Sequence, residues 1–337
     1  MDALEWGQRI DLAAAAARLE GVVEHTPLVP FDLGASELAD RVELRLKCEQ
    51  SQVNGAFKSR GAWNSISQLT PEERKLGVVA TSSGNHATAL AWAAARAGVH
   101  ATVFMPEDSY PNKIQACRDH GAEVVLTATR AEAEERCAEQ ALIGRVLVHP
   151  YNCVRTIEGQ GTVGLEIAQD WPEVELVMVP TGGGGLLAGV ALAISRTLGD
   201  EVAVVGVEPE GGANMSAALE ASEPVTIDPI TTKVQGLCPP NSGEVNVRLA
   251  ERYVEGMVAL SDDEIFAGQA ELVRAGFVVE PAGAAAFAAT RLGMLPEGLF
   301  EDRRPGDRLR VVCILTGANA DPDQLASLGA ASADDES

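Results

Sequence analysis

Short apolar runs alternate with alanine-rich, amphipathic stretches through the middle of the chain. The apolar runs predict strands at residues 77–81, 101–105, 123–126 and 146–148. The stretches between them predict helices at residues 85–97, 112–120 and 130–143. Strands that are apolar at nearly every position are typical of a parallel sheet covered on both faces. Residues 78–148 therefore predict a small α/β lobe of four strands and three helices.

A second alternation of the same kind runs from residue 157 towards the C-terminus. It predicts strands at 175–179, 202–207 and 309–315, and helices at 157–169, 186–198, 213–219, 262–275 and 281–291. The first 70 residues add a strand at 42–46 and helices at 12–19 and 58–69. We predict an α/β fold of two doubly wound parallel-sheet lobes, the small lobe (78–148) being inserted into a large lobe formed by residues 1–77 and 149–325. The Ala/Ser/Asp-rich residues 326–337 lack periodicity and predict a frayed acidic tail.

The charge balance narrows the range of partners. The chain has 337 residues, with 26 basic and 49 acidic side chains and a net charge of −23. This acidity argues against nucleic acid, which binds through cations, and against an anionic membrane surface. No apolar run approaches the roughly 20 residues that span a bilayer, and the N-terminus lacks the order of a secretory signal. We therefore expect a small-molecule ligand, with no nucleic-acid partner and no membrane.

The six cysteines and five histidines are scattered along the chain. No two cysteines have the two-residue spacing of a zinc site, and no two histidines are four residues apart. A disulfide framework or a transition-metal centre is therefore not indicated. Reduced thiols are typical of the cytoplasm, so we predict a cytoplasmic protein.

A run of four glycines, residues 182–185, lies between a predicted strand and a predicted helix. Glycine lets the backbone approach an anion, and the helix that starts at Leu186 offers unpaired N–H groups to a phosphate. The alternative is a tight turn whose glycines serve packing alone. A nicotinamide dinucleotide is one candidate ligand that carries such a phosphate. Gly183-x-Gly185-x-x-Ala188 fits the dinucleotide fingerprint, and Glu208 ends the next predicted strand, where a ribose-binding acid belongs.

Three further segments carry polar side chains suited to ligand binding. Lys58 follows Phe57 at the start of a predicted helix, after an Asn-Gly-Ala turn that a solvated lysine rarely needs. Residues 81–87 lie between a strand and a helix and present a second helix N-terminus to an anion. An ordinary serine N-cap explains one residue of this run but not all of it. Thr316 follows the last predicted strand at its carboxyl end, where open α/β sheets bind ligands.

These four motifs, in this order, resemble those of the fold-type II pyridoxal-phosphate enzymes (tryptophan synthase β-like), in particular the serine/threonine dehydratase and serine racemase branch. The resemblance covers roughly residues 15–325. It implies a pyridoxal 5'-phosphate cofactor, a large lobe built from both ends of the chain and a small mobile lobe. It also implies a homodimer.

The resemblance assigns roles to individual residues. Lys58 forms the Schiff base with the cofactor aldehyde, and Phe57 packs beside the ring. Asn85 contacts the ring hydroxyl, and Thr316 faces the pyridine nitrogen. The cofactor phosphate lies on Gly182, Gly183, Gly184, Gly185 and Leu186. The substrate carboxylate lies on the loop of Ser82, Ser83, Gly84, Asn85 and His86.

The types of these residues suit a β-elimination. A lysine displaced by the substrate amine can remove the Cα proton as a general base. Thr316 is a neutral partner for the ring nitrogen, and an unprotonated ring is a weaker electron sink that favours loss of a β-hydroxyl over transamination. We predict a dehydratase (ammonia-lyase) that converts a small β-hydroxy amino acid of the threonine and serine class to a 2-oxo acid and ammonia.

Two alternatives to this lyase remain open. Ser83 is a candidate proton-transfer group on the face opposite Lys58, and with it the enzyme would be an amino-acid racemase on the same cofactor. A nicotinamide-dependent dehydrogenase, from a different class, explains residues 183–188 and Glu208 but leaves Lys58 and residues 82–86 without a role.

Glu208 has another interpretation within the resemblance. In some members of the family an acid at this place binds Mg²⁺ or Ca²⁺ together with a backbone carbonyl and a second acid. The matching positions here are Glu208, Gly212 and Asn214. Asn214 replaces the second carboxylate, so the site loses one negative charge.

Two departures from the family pattern suggest a substrate with an additional negative group. Gln235 stands where an aspartate is usual, and the segment that follows His149 is not acidic and includes Arg155. If both line the site, Arg155 would bind the second carboxylate of a substrate such as 3-hydroxyaspartate. The alternative is that Arg155 pairs with Glu158 on the surface. Because the resemblance occupies the chain to about residue 325, we expect no appended regulatory domain.

Overall fold

Two β-sheets organise the computed structural model, which describes residues 1–36, 38–301, 303–304 and 306–330 (only the backbone at 329–330). The strands are β1 (Leu28–Phe31), β2 (Val42–Lys47), β3 (Val78–Thr81), β4 (Ala101–Pro106), β5 (Glu123–Thr127), β6 (Val146–Leu147), β7 (Leu176–Pro180), β8 (Ala203–Pro209), β9 (Gly256–Leu260) and β10 (Leu309–Ile314). The helices are α1 (Ala3–Gln8), α2 (Leu12–Leu19), α3 (Lys58–Ser67), α4 (Pro71–Leu76), α5 (Asn85–Ala97), α6 (Pro111–Asp119), α7 (Arg130–Leu142), α8 (Val154–Asp170), α9 (Gly185–Leu198), α10 (Asn214–Ala221), α11 (Glu244–Tyr253), α12 (Asp262–Arg274), α13 (Pro281–Arg291) and α14 (Pro322–Ala330). None of the helices in these described ranges is long and apolar enough to cross a membrane.

The smaller sheet has the strand order β5-β4-β3-β6, and each neighbouring pair is parallel. It contains the four strands, with the helices α5, α6 and α7 between them, that the alternation of residues 78–148 predicts. Ala62 and Ile66 of α3 pack into the same core as Leu90 of α5 and Val103 of β4. Helix α3 therefore lies at the junction of the two lobes, and Lys58 is its first residue.

The larger sheet has the order β1-β2-β10-β7-β8-β9 and is mixed. Strand β1 runs antiparallel to β2, whereas all the other neighbours are parallel. The prediction of two wholly parallel sheets is therefore wrong at this edge. A parallel connection needs a crossover of about a dozen residues or more, and the described residues between Phe31 and Val42 form turns instead. Pro30, which has no N–H to donate, is tolerated because β1 is an edge strand.

Several elements were not predicted from the sequence, among them the short helices α1 and α4. Helix α11 and strand β9 occupy a region that the prediction left as loop, and β9 forms the far edge of the larger sheet. Helix α14 begins with Pro322 and continues to Ala330, so residues 326–330 are helical rather than frayed. A proline suits the first turn of a helix because its missing N–H would be unpaired there anyway. The rest of the predicted tail, 331–337, lies outside the described residues.

Glycines allow helices α8 and α9 to pack closely beneath the larger sheet. A Cβ atom at Gly189 would lie 2.7 Å from the carbonyl oxygen of Ile157, and one at Gly164 would lie 2.9 Å from that of Val190. Side chains at these positions would force the helices apart. The close packing fixes the N-terminus of α9, which begins in the glycine run.

Candidate active site

A cavity of about 850 Å³ lies between the two lobes, at the carboxyl ends of β3, β7 and β10. All four sequence motifs contribute to its wall, namely Phe57 and Lys58, the loop from Ser82 to His86, residues 182–186, and Thr316. These motifs are up to 258 positions apart in the chain (from 58 to 316), so the fold alone brings them together. Open α/β sheets bind ligands at this edge.

Lys58 stands at the start of α3 with its ammonium group inside the cavity. The Nζ atom donates a hydrogen bond to the carbonyl oxygen of Pro150 at 2.9 Å and lies 4.8 Å from the centre of the Phe57 ring. Burial disfavours the charged form and lowers the pKa of Lys58 to about 8, although the carboxylate of Glu280 acts in the opposite direction. With this pKa roughly a tenth of the lysine is a neutral amine at pH 7, and the neutral form is the one that a nucleophile or a general base requires.

Ionic contacts behind α3 hold the helix that carries Lys58. Arg60 is buried and donates to both oxygens of Glu49, at 2.8 and 2.7 Å, and to both oxygens of Glu166, at 2.5 and 2.9 Å. The buried ammonium of Lys47 adds a 2.7 Å contact to Glu166. These bonds tie α3 to β2 and α8. The first turn of α3 is thereby fixed relative to the large lobe.

The glycine run forms a close-packed cradle at the cavity wall, where added side chains would collide with neighbouring residues. Gly184 has φ +87°, in the left-handed region that favours glycine, and it precedes the first turn of α9. A Cβ atom on Gly183 would lie 2.4 Å from the ring of Tyr151, and one on Gly185 would lie 2.7 Å from Oε1 of Gln160. The first N–H groups of a helix have no intrahelical acceptor. The cradle therefore suits a phosphate group, which the N-terminus of α9 would stabilise.

The loop before α5 forms a second helix N-terminus at the same cavity. Gly84 occupies the N-cap position, where it supplies no capping side chain, and its N–H donates to Ser82 Oγ at 3.2 Å. Asn85 is the first residue of α5, and its Nδ2 donates to Glu280 Oε1 at 2.6 Å. This loop can offer hydroxyl and N–H donors to an anion.

His86 faces the cavity, but its N–H group is already used. Its Nε2 lies 2.8 Å from the carbonyl oxygen of Val148, which can only accept, so the proton is on Nε2. Burial, with the charge of Lys58, lowers the pKa of His86 to about 3. The ring is therefore neutral, and the expectation that its side chain helps to receive a carboxylate is not supported by this geometry. For the other residues of the loop, Ser82, Ser83, Gly84 and Asn85, carboxylate binding stays a prediction.

The structure places several residues at the cavity that sequence reasoning missed. Glu280 lies next to Asn85, and burial raises the pKa of its carboxyl group even though Lys113, Asn85 and Lys58 act to lower it. Tyr151 packs under Gly183, and Arg130 extends from α7 to within 3.4 Å of the Cys238 carbonyl oxygen. The sequence signal for Glu280 was its position directly before Pro281, which begins an alanine-rich helix. Nothing in the local sequence of Arg130 distinguishes it from a solvated arginine.

Arg155 is not among the residues that line the cavity within the described part of the chain. Its Nη1 atom lies 3.9 Å from Oε2 of Glu73 on α4, and both side chains are partly exposed. The prediction that Arg155 binds the substrate is wrong, because the first turn of α8 directs this residue towards α4. The alternative pairing with Glu158 is wrong as well, since Glu158 contacts Arg18 at 3.3 Å.

Glu208, Gly212 and Asn214 do come together, but their polar atoms are occupied. The buried carboxylate of Glu208 accepts from the N–H groups of Met215 and Ser216, at 3.0 and 2.9 Å, and so caps the start of α10. Asn214 turns Nδ2 towards the carbonyl oxygens of Gly212 (3.3 Å) and Pro239 (3.0 Å). A donor therefore stands where a cation would need oxygen ligands, and the described residues contain no cluster of three or more metal-ligating acids, histidines or cysteines. The expected Mg²⁺ or Ca²⁺ site stays a prediction, and Asn214 offers it an amide donor rather than an oxygen between these carbonyl groups.

The cavity's chemistry is that of a pyridoxal-phosphate enzyme, and comparison with known proteins places the chain in that class. Residues 19–317 match the family of pyridoxal-phosphate dependent enzymes, and the chain belongs to this family. It is 38% identical over 320 residues to the L-threonine ammonia-lyase of Thermotoga maritima, a match that covers 94% of this chain and 76% of that protein.

Two solved structures are similar over most of their length. The processed form of threonine deaminase isoform 2 from Solanum lycopersicum has a TM-score of 0.86 at 30% identity, covering 98% of this chain and 89% of that one. Maize serine racemase has a TM-score of 0.84 at 30% identity, covering 96% and 97%. The predictions of a fold-type II fold, a pyridoxal 5'-phosphate cofactor and a lyase are thereby confirmed. The nicotinamide alternative is set aside, and Glu208, its proposed ribose ligand, is a buried helix cap.

Proposed function

We propose that the protein is a dehydratase (ammonia-lyase) that converts a small β-hydroxy amino acid of the threonine and serine class to a 2-oxo acid and ammonia. The observation that carries this proposal is the position of Lys58, a partly neutral amine in the same cavity as a glycine cradle at the N-terminus of α9. The similarity to an L-threonine ammonia-lyase at 38% identity supports the substrate class.

The residues present fit the cofactor. In this proposal Lys58 would hold the aldehyde, the N–H groups of residues 182–186 would hold the phosphate, and Phe57, Asn85 and Thr316 would contact the ring. Pyridoxal phosphate, when bound, supplies an electron sink for the Cα–H bond of the substrate. Thr316 is buried and uncharged, so it can hydrogen-bond a ring nitrogen without holding it protonated.

Lys58 has two tasks in this proposal. It would hold the cofactor aldehyde, and its Nζ would take the Cα proton of the substrate, for which the lowered pKa favours the neutral form. The small-lobe loop binds the substrate carboxylate through the hydroxyl of Ser82 and the N–H groups around Gly84. Ser83, from the same loop, is the candidate that holds a proton on the opposite face of the substrate.

A racemase is the second candidate activity, and the similarity to maize serine racemase supports it. The same Lys58 and Ser83 would serve, with the proton returned to the opposite face instead of the β-hydroxyl leaving. Incubation with L-serine separates the two, because a lyase forms pyruvate and ammonia whereas a racemase forms D-serine. Ser83→Ala should suppress D-serine formation selectively if Ser83 holds that proton.

The primary test is cofactor loading at Lys58. Purified protein with pyridoxal phosphate should be yellow, and borohydride reduction followed by peptide mass spectrometry should locate the label on Lys58. Lys58→Ala should abolish both the colour and the release of 2-oxo acid from L-threonine. Lys75→Ala is the matched control, since Lys75 is an exposed lysine on α4. A colourless wild-type protein, or label on another lysine, would overturn the proposal.

We infer in addition a cytoplasmic homodimer. All six cysteines are free thiols, which is typical of proteins from a reducing compartment. Leu142 and Ile143 at the end of α7 are 88% and 69% exposed, which leaves apolar surface for a subunit contact. Light scattering of the purified protein tests the dimer, and a mass near the 35.3 kDa of one chain would contradict it.

A further inference from the structure

The side-chain amide of Asn85 has partners on both sides of the junction between the lobes. Its Nδ2 donates to Glu280 Oε1 at 2.6 Å. Its Oδ1 accepts from Lys113 Nζ at 3.1 Å and from Asn319 Nδ2 at 3.0 Å. Two donors on the oxygen and a carboxylate on the nitrogen permit only one orientation of this amide.

These partners come from different lobes. Asn85 and Lys113 belong to α5 and α6 of the small lobe, whereas Glu280 precedes α13 and Asn319 follows β10 in the large lobe. The ammonium of Lys113 also donates to the backbone carbonyl of Asn319 at 2.9 Å, so it bridges the lobes directly. Any displacement of the small lobe would break the contacts of Lys113 with Asn319 and of Asn85 with Glu280.

Lys113, like Lys58, is a largely buried lysine whose ammonium has no carboxylate partner among the ion pairs of the described residues. Its side chain borders a second cavity of about 400 Å³, which Asn85 and Glu280 separate from the main cavity. Burial lowers its pKa, against the opposing charge of Glu280. The ammonium therefore loses solvation in order to contact two uncharged oxygen acceptors. Lys113 does not line the main cavity, so it has no direct role in the proposed reaction.

Gly317 gives these contacts the space they need. A Cβ atom on Gly317 would lie 2.5 Å from Glu280 Oε1 and 3.1 Å from Asn85 Nδ2. The N–H of Glu280 also donates to the carbonyl oxygen of Gly317 at 2.9 Å. The residue that follows Thr316 is thus part of the same junction.

We propose that Lys113 is a positioning residue that, with Asn319 and Glu280, clamps the two lobes together and aims the free N–H of Asn85 into the main cavity. Three of the four hydrogen-bonding positions of the amide are filled by these partners, and one N–H on Nδ2 remains. The proposal deepens the proposed function, because it takes Asn85 as the contact for the ring hydroxyl of the cofactor.

The test compares Lys113→Met with Lys233→Met, which removes an exposed lysine from the rim of the same second cavity. Lys113→Met should weaken the binding of pyridoxal phosphate to cofactor-free protein roughly tenfold, the effect of one hydrogen bond to a charged group. It should also shift the visible absorption maximum of the bound cofactor, which responds to hydrogen bonding at the ring hydroxyl. Lys113→Arg keeps a cationic donor, so its affinity for pyridoxal phosphate and its absorption maximum should lie between those of Lys113→Met and the wild type.

A second measurement does not involve the cofactor. In the cofactor-free protein, Lys113→Met should speed amide hydrogen exchange in α6 and in residues 317–320, because the contacts between the lobes are lost. If Lys113→Met misfolds, Lys113→Gln, which retains a shorter donor, takes its place. The clamp would be overturned if the Lys113 and Lys233 variants had equal affinity for pyridoxal phosphate, equal absorption maxima and equal amide hydrogen exchange. Borohydride labelling of Lys58 in the same samples would then show that the proposed function still stands.

Discussion

The Nζ atom of Lys58 donates a hydrogen bond of 2.9 Å to the carbonyl oxygen of Pro150, a residue that follows the last strand of the small lobe. The bond holds the free lysine at the point where the two lobes meet. It compensates only in part for burial, which brings the pKa of Lys58 down to about 8. Burial of Lys58 therefore favours its reactive neutral form but destabilises the folded state.

Replacing Lys58 should accordingly stabilise the cofactor-free protein. A lysine whose pKa falls from 10.5 to about 8 on folding destabilises the fold by up to about 3 kcal/mol at pH 7, at ~1.4 kcal/mol per unit. The penalty is fully present below pH 8 and disappears as the pH rises to 10.5. Lys58→Met should therefore raise the free energy of unfolding at pH 7 but not at pH 10.5, as measured by urea denaturation. Lys75→Met is the control, and a destabilised Lys58→Met protein would contradict the burial argument.

The carboxylate of Glu280 should set the pH at which Lys58 becomes reactive. The negative charge of Glu280 favours the ammonium form, so it holds the pKa of Lys58 above the value that burial alone would produce. Glu280→Gln keeps an acceptor for Asn85 but removes this charge. The rate of cofactor loading as a function of pH should then have its midpoint at lower pH than in the wild type. An unchanged midpoint would mean that Glu280 is protonated in the fold, which its raised pKa would explain.

Most strands of the two sheets and the four cavity motifs could be predicted from the sequence because each follows from a local pattern, but the edge strand β9 was missed. Periodicity predicts the strands, and glycine or serine runs before helices predict anion sites. The failures were non-local. The direction of β1 depends on a connection without a helix, and Arg155 contacts Glu73, a residue of a different helix. Glu280 carries no local signal strong enough to place it beside Asn85, 195 positions away.

Gly183 should tolerate no side chain while Tyr151 is present. The added Cβ of Gly183→Ala would lie 2.4 Å from the Tyr151 ring, so the glycine run must shift. We expect a loss of about 1–3 kcal/mol in the free energy of unfolding and weaker binding of pyridoxal phosphate. Tyr151→Ala in the same chain should restore part of the affinity by making room. Gly256→Ala, which has open space around its Cβ, is the control and should change neither quantity.

Arg60 should be essential to stability because it neutralises two acids. Burial would raise the pKa of Glu166, but Arg60 and Lys47 outweigh it and hold that pKa below its usual range. Arg60→Met leaves the carboxylates of Glu49 and Glu166 short of a partner and should reduce the free energy of unfolding by about 3–5 kcal/mol at pH 7.

The pH dependence identifies the cause of the Arg60 effect. Without Arg60 the pKa of Glu166 should rise, so the difference from the wild type should shrink as the pH falls towards 4 and Glu166 becomes protonated. Arg136→Met is the matched control, because the Arg136 side chain is 43% exposed and its contact with Glu132 is 3.8 Å. That change should reduce the free energy of unfolding by at most about 1 kcal/mol. An equal loss in both variants, or one that does not vary with pH, would contradict the ionic account.

Asn214 should hold the loop beside the glycine cradle without help from a cation. Its amide joins Gly212 to Pro239, and a Cβ atom on Gly182 would lie only 3.0 Å from Pro239 Cδ. Millimolar Mg²⁺ or Ca²⁺ should therefore leave the melting temperature of the wild type unchanged, since only binding to the folded state would raise it.

The variant Asn214→Asp loses the donor to both carbonyl groups and places a second acid near Glu208, so it should melt at a lower temperature. Because that variant presents carboxylate and carbonyl oxygens instead of an amide donor, added Mg²⁺ should recover part of its stability. Two outcomes would show that the amide does not take the place of the ion. One is that Mg²⁺ stabilises the wild type, and the other is that Asn214→Asp is as stable as the wild type in the absence of Mg²⁺.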